Sequence, residues 1–356
     1  MKIDDKTSHN SPSLRFPEFT GEWEKCKIED ITDAVSSGKS KNHFSNGEYN
    51  LYGSTGIIGR TDKALYDGKL VLVARVGANA GFLQIINEPC GITDNTLILK
   101  PKGIDAFYLY YFLQHFNLNR LIFGSGQPLI TGGMLKKVKV SLGTISEQSK
   151  IVKFLSLLDE RIATQVRLID RLQSLMIGIR HRIINEAKGK IVCLCEVSDI
   201  YQPQTISSAD LTETGYPVYG ANGIIGHYTS YNHEAEQVCI TCRGNTCGGV
   251  NYTKSKSWIT GNAMVVNVDR YQNIVSKRYL YHYLSNCDFN SIISGSGQPQ
   301  IVRAPLAKFK IILPTVMQQY KIAHCLDVIQ NKINVNSNIL NLLIRQKQYL
   351  LRKMFI

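Results

Sequence analysis

The chain has 356 residues, with 41 lysines and arginines against 28 aspartates and glutamates and a formal net charge of +13. That length exceeds one ordinary core and favours two domains, and with only 19% of residues charged the excess belongs to a folded basic protein, whose first partner to test is nucleic acid. No apolar leader opens the chain and nowhere do about eighteen apolar residues run together, so neither secretion nor membrane spanning is expected and the place expected is the cytoplasm. Nine cysteines, an odd number spread from Cys26 to Cys325, fit a reducing compartment without disulfides.

From the N-terminus, the first stretch is rich in glycine, tyrosine and short apolar runs such as Leu70 to Val73, which read as strands and turns. It contains YGSTGIIG at Tyr52 to Gly59 and GSGQP at Gly124 to Pro128. The period then changes. Leu155, Leu158, Ile162, Gln165, Ile169, Leu172, Met176, Ile179 and Ile183 fall on alternating three- and four-residue steps, a heptad seam. The chain next repeats itself: YGANGIIG at Tyr219 to Gly226, a run of strand texture at Met264 to Val268, GSGQP at Gly295 to Pro299, and a second seam of Leu326, Ile329, Ile333, Asn336, Leu340, Leu343, Lys347, Leu350 and Met354. Gly77 and Gly81 map onto Gly244 and Gly248, and Gln148 with Lys150 onto Gln319 with Lys321. Landmarks this numerous, kept in one order, mark an internal duplication.

A helix from Leu155 to Ile183 is about 43 Å long, and neither such helix can bury its stripe alone. If the second returns past the first, the two form an antiparallel pair; otherwise each packs on its own domain. Gln165, Asn336 and Lys347 on the seam either fix register or lie where the helices diverge.

Motifs for chemistry are missing. SGKS at Ser37 to Ser40 lacks the earlier glycine of a phosphate loop, Asp33 standing there. With no Pro-Pro pair, the adenine-methyltransferase motif is absent. Asp67-Gly68-Lys69 has the spacing of part of a nuclease motif, which turns produce easily. Cys239, Cys242 and Cys247 invite zinc, but the first copy has Leu72, Arg75 and Ala80 there, so buried apolar cysteine is the better account. No metal site is expected.

Two similar but diverged domains in one basic chain make a pseudo-dimer expected to read two half-sites that differ, and half-sites lie roughly 34 to 36 Å apart in dimeric readers. Lysine and arginine would hold phosphates, while arginine, asparagine and glutamine on turns would discriminate bases. The candidates are Arg60, Arg75, Asn79, Ser125 and Gln127 in the first copy, and His227, Arg243, Asn245, Ser296, Gln298 and Arg303 in the second, with Tyr228 available to pack on a base or sugar. The GSGQP turns, common to both copies, are equally readable as scaffold or phosphate holders. Positions where the copies differ, Arg60 against His227 and Val76 against Arg243, are the better base readers.

With these residues in view, the whole chain resembles the specificity subunits of type I restriction-modification systems, through LRFPEFTGEW at Leu14 to Trp23, the YG..GIIG segments, the GSGQP pair and Glu147-Gln148 before the first seam. The resemblance implies an α+β architecture of two mixed α/β target-recognition domains, at 12–145 and 189–314. Two long helical regions, 146–188 and 315–356, would form an antiparallel coiled coil. The helices, through Leu155, Leu158, Ile162, Ile169 and Leu172 and through Leu326, Ile329, Ile333, Leu340 and Leu343, would serve as spacer and as docking surface for two modification subunits. It implies no catalysis and no cofactor on this chain. S-adenosylmethionine would sit on the modification subunits, which methylate adenine N6, and ATP with Mg on a separate motor subunit that translocates and cuts. A specificity subunit of a motor-less combined enzyme would look alike, and a two-module repressor is a third reading.

Overall fold

The computed structural model describes residues 10–41, 46–123, 128–295 and 297–356. It divides into two compact units, Met1–Val166 with Ile339–Ile356, and Arg167–Asn338.

In the first unit the strand Lys69–Ala74 (KLVLVA) is the organising element, and all of it but Lys69 is buried. Its apolar run is continuous because both faces are covered, and the period of two sends alternate side chains to different cores. Val71 and Val73, with Leu97 and Leu99, pack towards the helix Ala106–Phe116, whose Tyr108, Leu109 and Phe112 join the same cluster. Leu70, Leu72 and Ile98 face a second cluster with Ile86, Cys90 and Ile92. The strand lies in a four-stranded antiparallel sheet ordered Thr32–Ser37, Thr96–Pro101, Lys69–Ala74, Leu83–Asn87. Beside it stands a three-stranded sheet: the hairpin Tyr49–Gly53 with Gly56–Thr61, and Cys90–Ile92 running parallel to the hairpin's first strand. Asp105 caps the helix by accepting from the Phe107 N–H at 2.7 Å, and Asn117, at φ 57°, ends it.

The second unit repeats this plan in the same order. Its four-stranded sheet runs Asp199–Tyr201, Ala263–Asn267, Val238–Thr241, Val250–Tyr252, and its three-stranded sheet Gly223–Tyr228, Tyr216–Gly220, Trp258–Ile259. Val238 and Ile240 face the core under the helix Lys277–Leu284, whereas Cys239 and Val265 face the other side. Even the hairpin irregularity recurs, between Leu51 and Tyr52 and between Val218 and Tyr219. Cys239 is fully buried among apolar side chains, which pushes its thiol pKa up. Among the described residues no group of histidine, cysteine, aspartate or glutamate is placed to hold a metal ion, and no helix is long and apolar enough to cross a membrane.

The heptad seams belong to the helices Ile145–Glu186, of 42 residues, and Val316–Met354, of 39. In the first unit Leu155, Leu158 and Ile162, early in one helix, share a core with Leu343, Leu350 and Met354, late in the other. Leu340 is half-buried beside them along the sequence. In the second unit Leu172, Met176 and Ile179, late in the first helix, pack with Leu326, Ile329 and Ile333, early in the second; Ile169 is buried too. Early against late within each unit means the pairing is antiparallel. The fold is thus α+β, two mixed domains and an antiparallel coiled coil.

Candidate nucleic-acid interface

Three loops converge on one edge of each unit. In the first, Arg75 to Gly81 links two sheet strands through a turn that needs positive φ at Gly77 (78°) and Gly81 (88°), which glycine adopts without a Cβ penalty. The Gly77 N–H donates to the Pro128 carbonyl at 3.0 Å and the Ile130 N–H to the Arg75 carbonyl at 2.8 Å, which ties this loop to the end of GSGQP. The Arg75 N–H donates to Asn95, and the Ser54 hydroxyl donates to the same carbonyl at 3.4 Å. The Gln84 amide donates to the carbonyls of Gly53 and Ser54 at 2.9 and 3.2 Å, which completes the junction with the YG..GIIG hairpin.

The second unit makes the same junction from different side chains. Gly244 (φ 84°) donates to the Pro299 carbonyl at 3.0 Å, Ile301 donates to Cys242 at 3.0 Å, and the Thr241 hydroxyl donates to the Ala221 carbonyl. The tyrosine just before each hairpin turn anchors it: Tyr52 donates to Glu88 at 2.6 Å, and the Tyr219 oxygen accepts from the Lys254 N–H at 3.1 Å. Hydrogen bonds from Asn50 and Tyr52 hold Glu88 below the usual carboxylate range. In both hairpins the paired isoleucines stand out to solvent, Ile57 and Ile58 at 56% and 49% exposure, Ile224 and Ile225 at 48% and 47%.

On this frame Asn79, Arg243, Asn245, Gln298 and Arg303 are exposed. Arg60 is exposed as well, but two of its nitrogens donate to the carbonyls of Gly47 and Glu48 at 2.7 and 2.9 Å. Arg75 is half-buried, and among the described residues its Nε has no hydrogen-bond partner. His227 is half-buried on its strand, and Tyr228 sets its ring edge-on to Trp258 at 5.1 Å. Ser125, Gln127 and Ser296 lie outside the described residues. Sequence reasoning passed over Lys39, which the structure places on the same cleft as Arg75; its signal was the SGKS stretch, set aside for want of a phosphate-loop glycine.

A duplicated, basic pair of loop-edged domains on two antiparallel helices defines a protein with two binding faces of one design and different side chains. Residues 20–174 and 187–345 match the model of the type I restriction modification DNA specificity domain. The chain belongs to that family, and so to the non-catalytic DNA-recognition subunits of type I restriction-modification systems. It is 31% identical over 148 residues to the type I restriction enzyme EcoprrI specificity subunit of Escherichia coli, a match covering 40% of this chain and 36% of that one. A putative type I restriction enzyme specificity subunit, S.HindORF215P of Haemophilus influenzae, is 20% identical over 92% of each chain. The solved structure of a type I S subunit from M. genitalium shares the fold at a TM-score of 0.72 and 18% identity, covering 97% of this chain and 99% of that one.

Proposed function

We propose that this chain reads a split, asymmetric DNA site, one half with each recognition domain, and directs adenine methylation and restriction by partner subunits bound to it. The observation that carries this is the loop edge built twice on one hydrogen-bond plan and furnished differently, with Val76, Ala78 and Gly132 in the first unit where the second has Arg243, Asn245 and Arg303. Identical frames with different donors suit two different base sequences. The domains are 12–145 and 189–314, with helical regions 146–188 and 315–356. Base discrimination falls to Asn79, Ser125 and Gln127 on one side and to His227, Arg243, Asn245, Ser296, Gln298 and Arg303 on the other, while Arg60 and Tyr228 brace their strands. Two modification subunits, which carry S-adenosylmethionine, dock on the helices. In the first unit Phe154, Leu157 and Ile339 leave apolar surface open on a groove of about 610 Å³ beside the seam. Motor subunits carry ATP and Mg. The complex works where the DNA is, in the cytoplasm.

The experiment is co-expression of the chain with a cognate methyltransferase in a host lacking both, followed by genome-wide mapping of N6-methyladenine. One split asymmetric motif is the expected result. A purified complex without new methylation would reject the reading of a competent reader, and the lack of any complex would reject the subunit assignment.

A further inference from the structure

The strand Thr32–Ser37 pairs with Thr96–Pro101, and where it leaves the sheet a cleft of about 330 Å³ opens, with Ser36, Ser37, Lys39, Arg75 and Gly132 on its walls. Among the described residues no carboxylate lines it. Arg75 enters from the glycine loop with its main chain fixed on both sides, and among the described residues its buried Nε has no hydrogen-bond partner. A buried guanidinium nitrogen with no acceptor costs free energy until an acceptor arrives, and an anion is the acceptor that also meets its charge. Lys39 stands on the same cleft, exposed. A Cβ on Gly38 would lie 2.4 Å from the carbonyl oxygens of Ile92 and Thr93, so only glycine lets the chain pass there and bring Lys39 to the rim.

The second unit furnishes the equivalent positions differently. Arg75 is replaced by Cys242, Lys39 by Ile206 and Val35 by Gln202. The Gln202 amide donates to the Gly261 carbonyl and approaches the Cys242 sulfur at 3.6 Å. Duplication preserved the frame and put cations on the cleft of the first unit.

We infer that this cleft is an oxyanion site for one phosphodiester of the bound DNA, gripped by the Arg75 guanidinium and the Lys39 ammonium, and that it belongs to the first recognition domain. The inference rests on the DNA-reading function proposed above. It makes Arg75 a backbone clamp that sets position, with base choice left to other side chains.

The test measures affinity of the full chain for a target duplex and a scrambled duplex across a KCl series, for the wild type, Arg75→Gln, Lys39→Gln and the double variant. Each phosphate neutralised contributes about 0.9 to the slope of log K against log salt. The double variant should flatten the slope by about 0.9, one phosphate's worth, and weaken target and scrambled duplexes alike, roughly threefold more at 50 than at 200 mM salt. A flattening of about 1.8 would mean two separate phosphates and overturn the shared site. An altered base preference in Arg75→Gln would make it a base reader and overturn the clamp, and so would an unchanged slope. Lys39→Gln, being at the surface, keeps the test free of folding defects. If the wild type shows no salt-dependent DNA binding, the DNA reading itself fails. The cleft is then judged by the Arg75 Nε–H resonance under added inorganic phosphate: a shift lost in Lys39→Gln supports an oxyanion site, and no shift overturns it.

Discussion

Arg15 and Glu147, 132 positions apart, form a two-pronged ion pair with nitrogen to oxygen distances of 2.6 and 2.8 Å. The Glu147 carboxylate is fully buried and also accepts from the Trp23 indole at 3.1 Å. Two of the family-like sequence signals, the segment around Arg15 and Trp23 and the Glu147-Gln148 pair, are thus one contact. Removing one partner of a buried pair leaves an uncompensated charge, so Glu147→Ala should destabilise the first unit by about 3 kcal/mol. The chain has two tryptophans, Trp23 in this unit and Trp258 in the other, so Trp23 emission during urea unfolding in a Trp258→Phe background reads the effect. A loss under about 1 kcal/mol would show that the pair adds little beyond packing.

His282 should make the second unit pH-sensitive. It is fully buried, 2.7 Å from Asp327, and burial, helped by the nearby charges of Arg180 and Arg278, pushes its pKa down to about 4 against the Asp327 hydrogen bond. The unfolded imidazole takes its proton near 6.5 while the folded one stays neutral, so stability falls as pH drops from about 6.5 to about 4, by up to about 3 kcal/mol. Burial alone would raise Asp327, but hydrogen bonds from Arg278 and His282 outweigh it and hold its carboxyl below the usual range. Its own contribution is therefore intact through that window and lost only at lower pH. His282→Leu should flatten the pH dependence of the urea midpoint read by Trp258; an unchanged dependence would assign it to other groups.

Arg243→Ala should cost about 1 to 3 kcal/mol of DNA affinity and relax base preference at one position of one half-site, the other half staying as it was. Arg60→Ala should instead release the carbonyls of Gly47 and Glu48 and lower stability without changing the motif. Methylation motifs mapped for the two variants settle both, and a changed motif in Arg60→Ala would restore it as a base reader.

On the seam, Lys347 is paired with Asp159 at 2.6 Å and lies 5.3 Å from the centre of the Tyr111 ring, whose hydroxyl donates to the same aspartate at 2.8 Å. With the lysine only 16% exposed, Lys347→Ala should lower first-unit stability by about 1 to 2 kcal/mol, partly through lost stem packing. Lys347→Met with Asp159→Asn should recover most of it, because a matched apolar replacement leaves no lone charge. Thermal unfolding of the two variants decides; equal losses would count against this.

The duplication and the two helices were legible because their signals are local and periodic: YG..GIIG became the same bulged hairpin twice, and the seams from Leu155 and Leu326 became buried stripes. Sheet order was not, since Thr32–Ser37 finds Thr96–Pro101 across some sixty residues that carry no mark of the pairing. The same holds for the site. Its glycines announced turns, but the meeting of Gly77 with Pro128, the bracing of Arg60 and the neighbourhood of Lys39 and Arg75 come from non-local packing. Lys347 read only as an odd residue on an apolar seam because its partner, Asp159, lies on the other helix.

The first unit is finished by residues 339 to 356: Phe355 is buried with its ring centre 5.2 Å from that of Tyr108, and the Leu14 N–H donates to the Lys353 carbonyl at 2.9 Å. During synthesis the second unit, drawn from the unbroken stretch 167–338, therefore has all its parts first. The earlier-made unit keeps Tyr108 and Phe112 partly uncovered until residues 339 to 356 are made, so the N-terminal half exposes apolar surface for longer during synthesis.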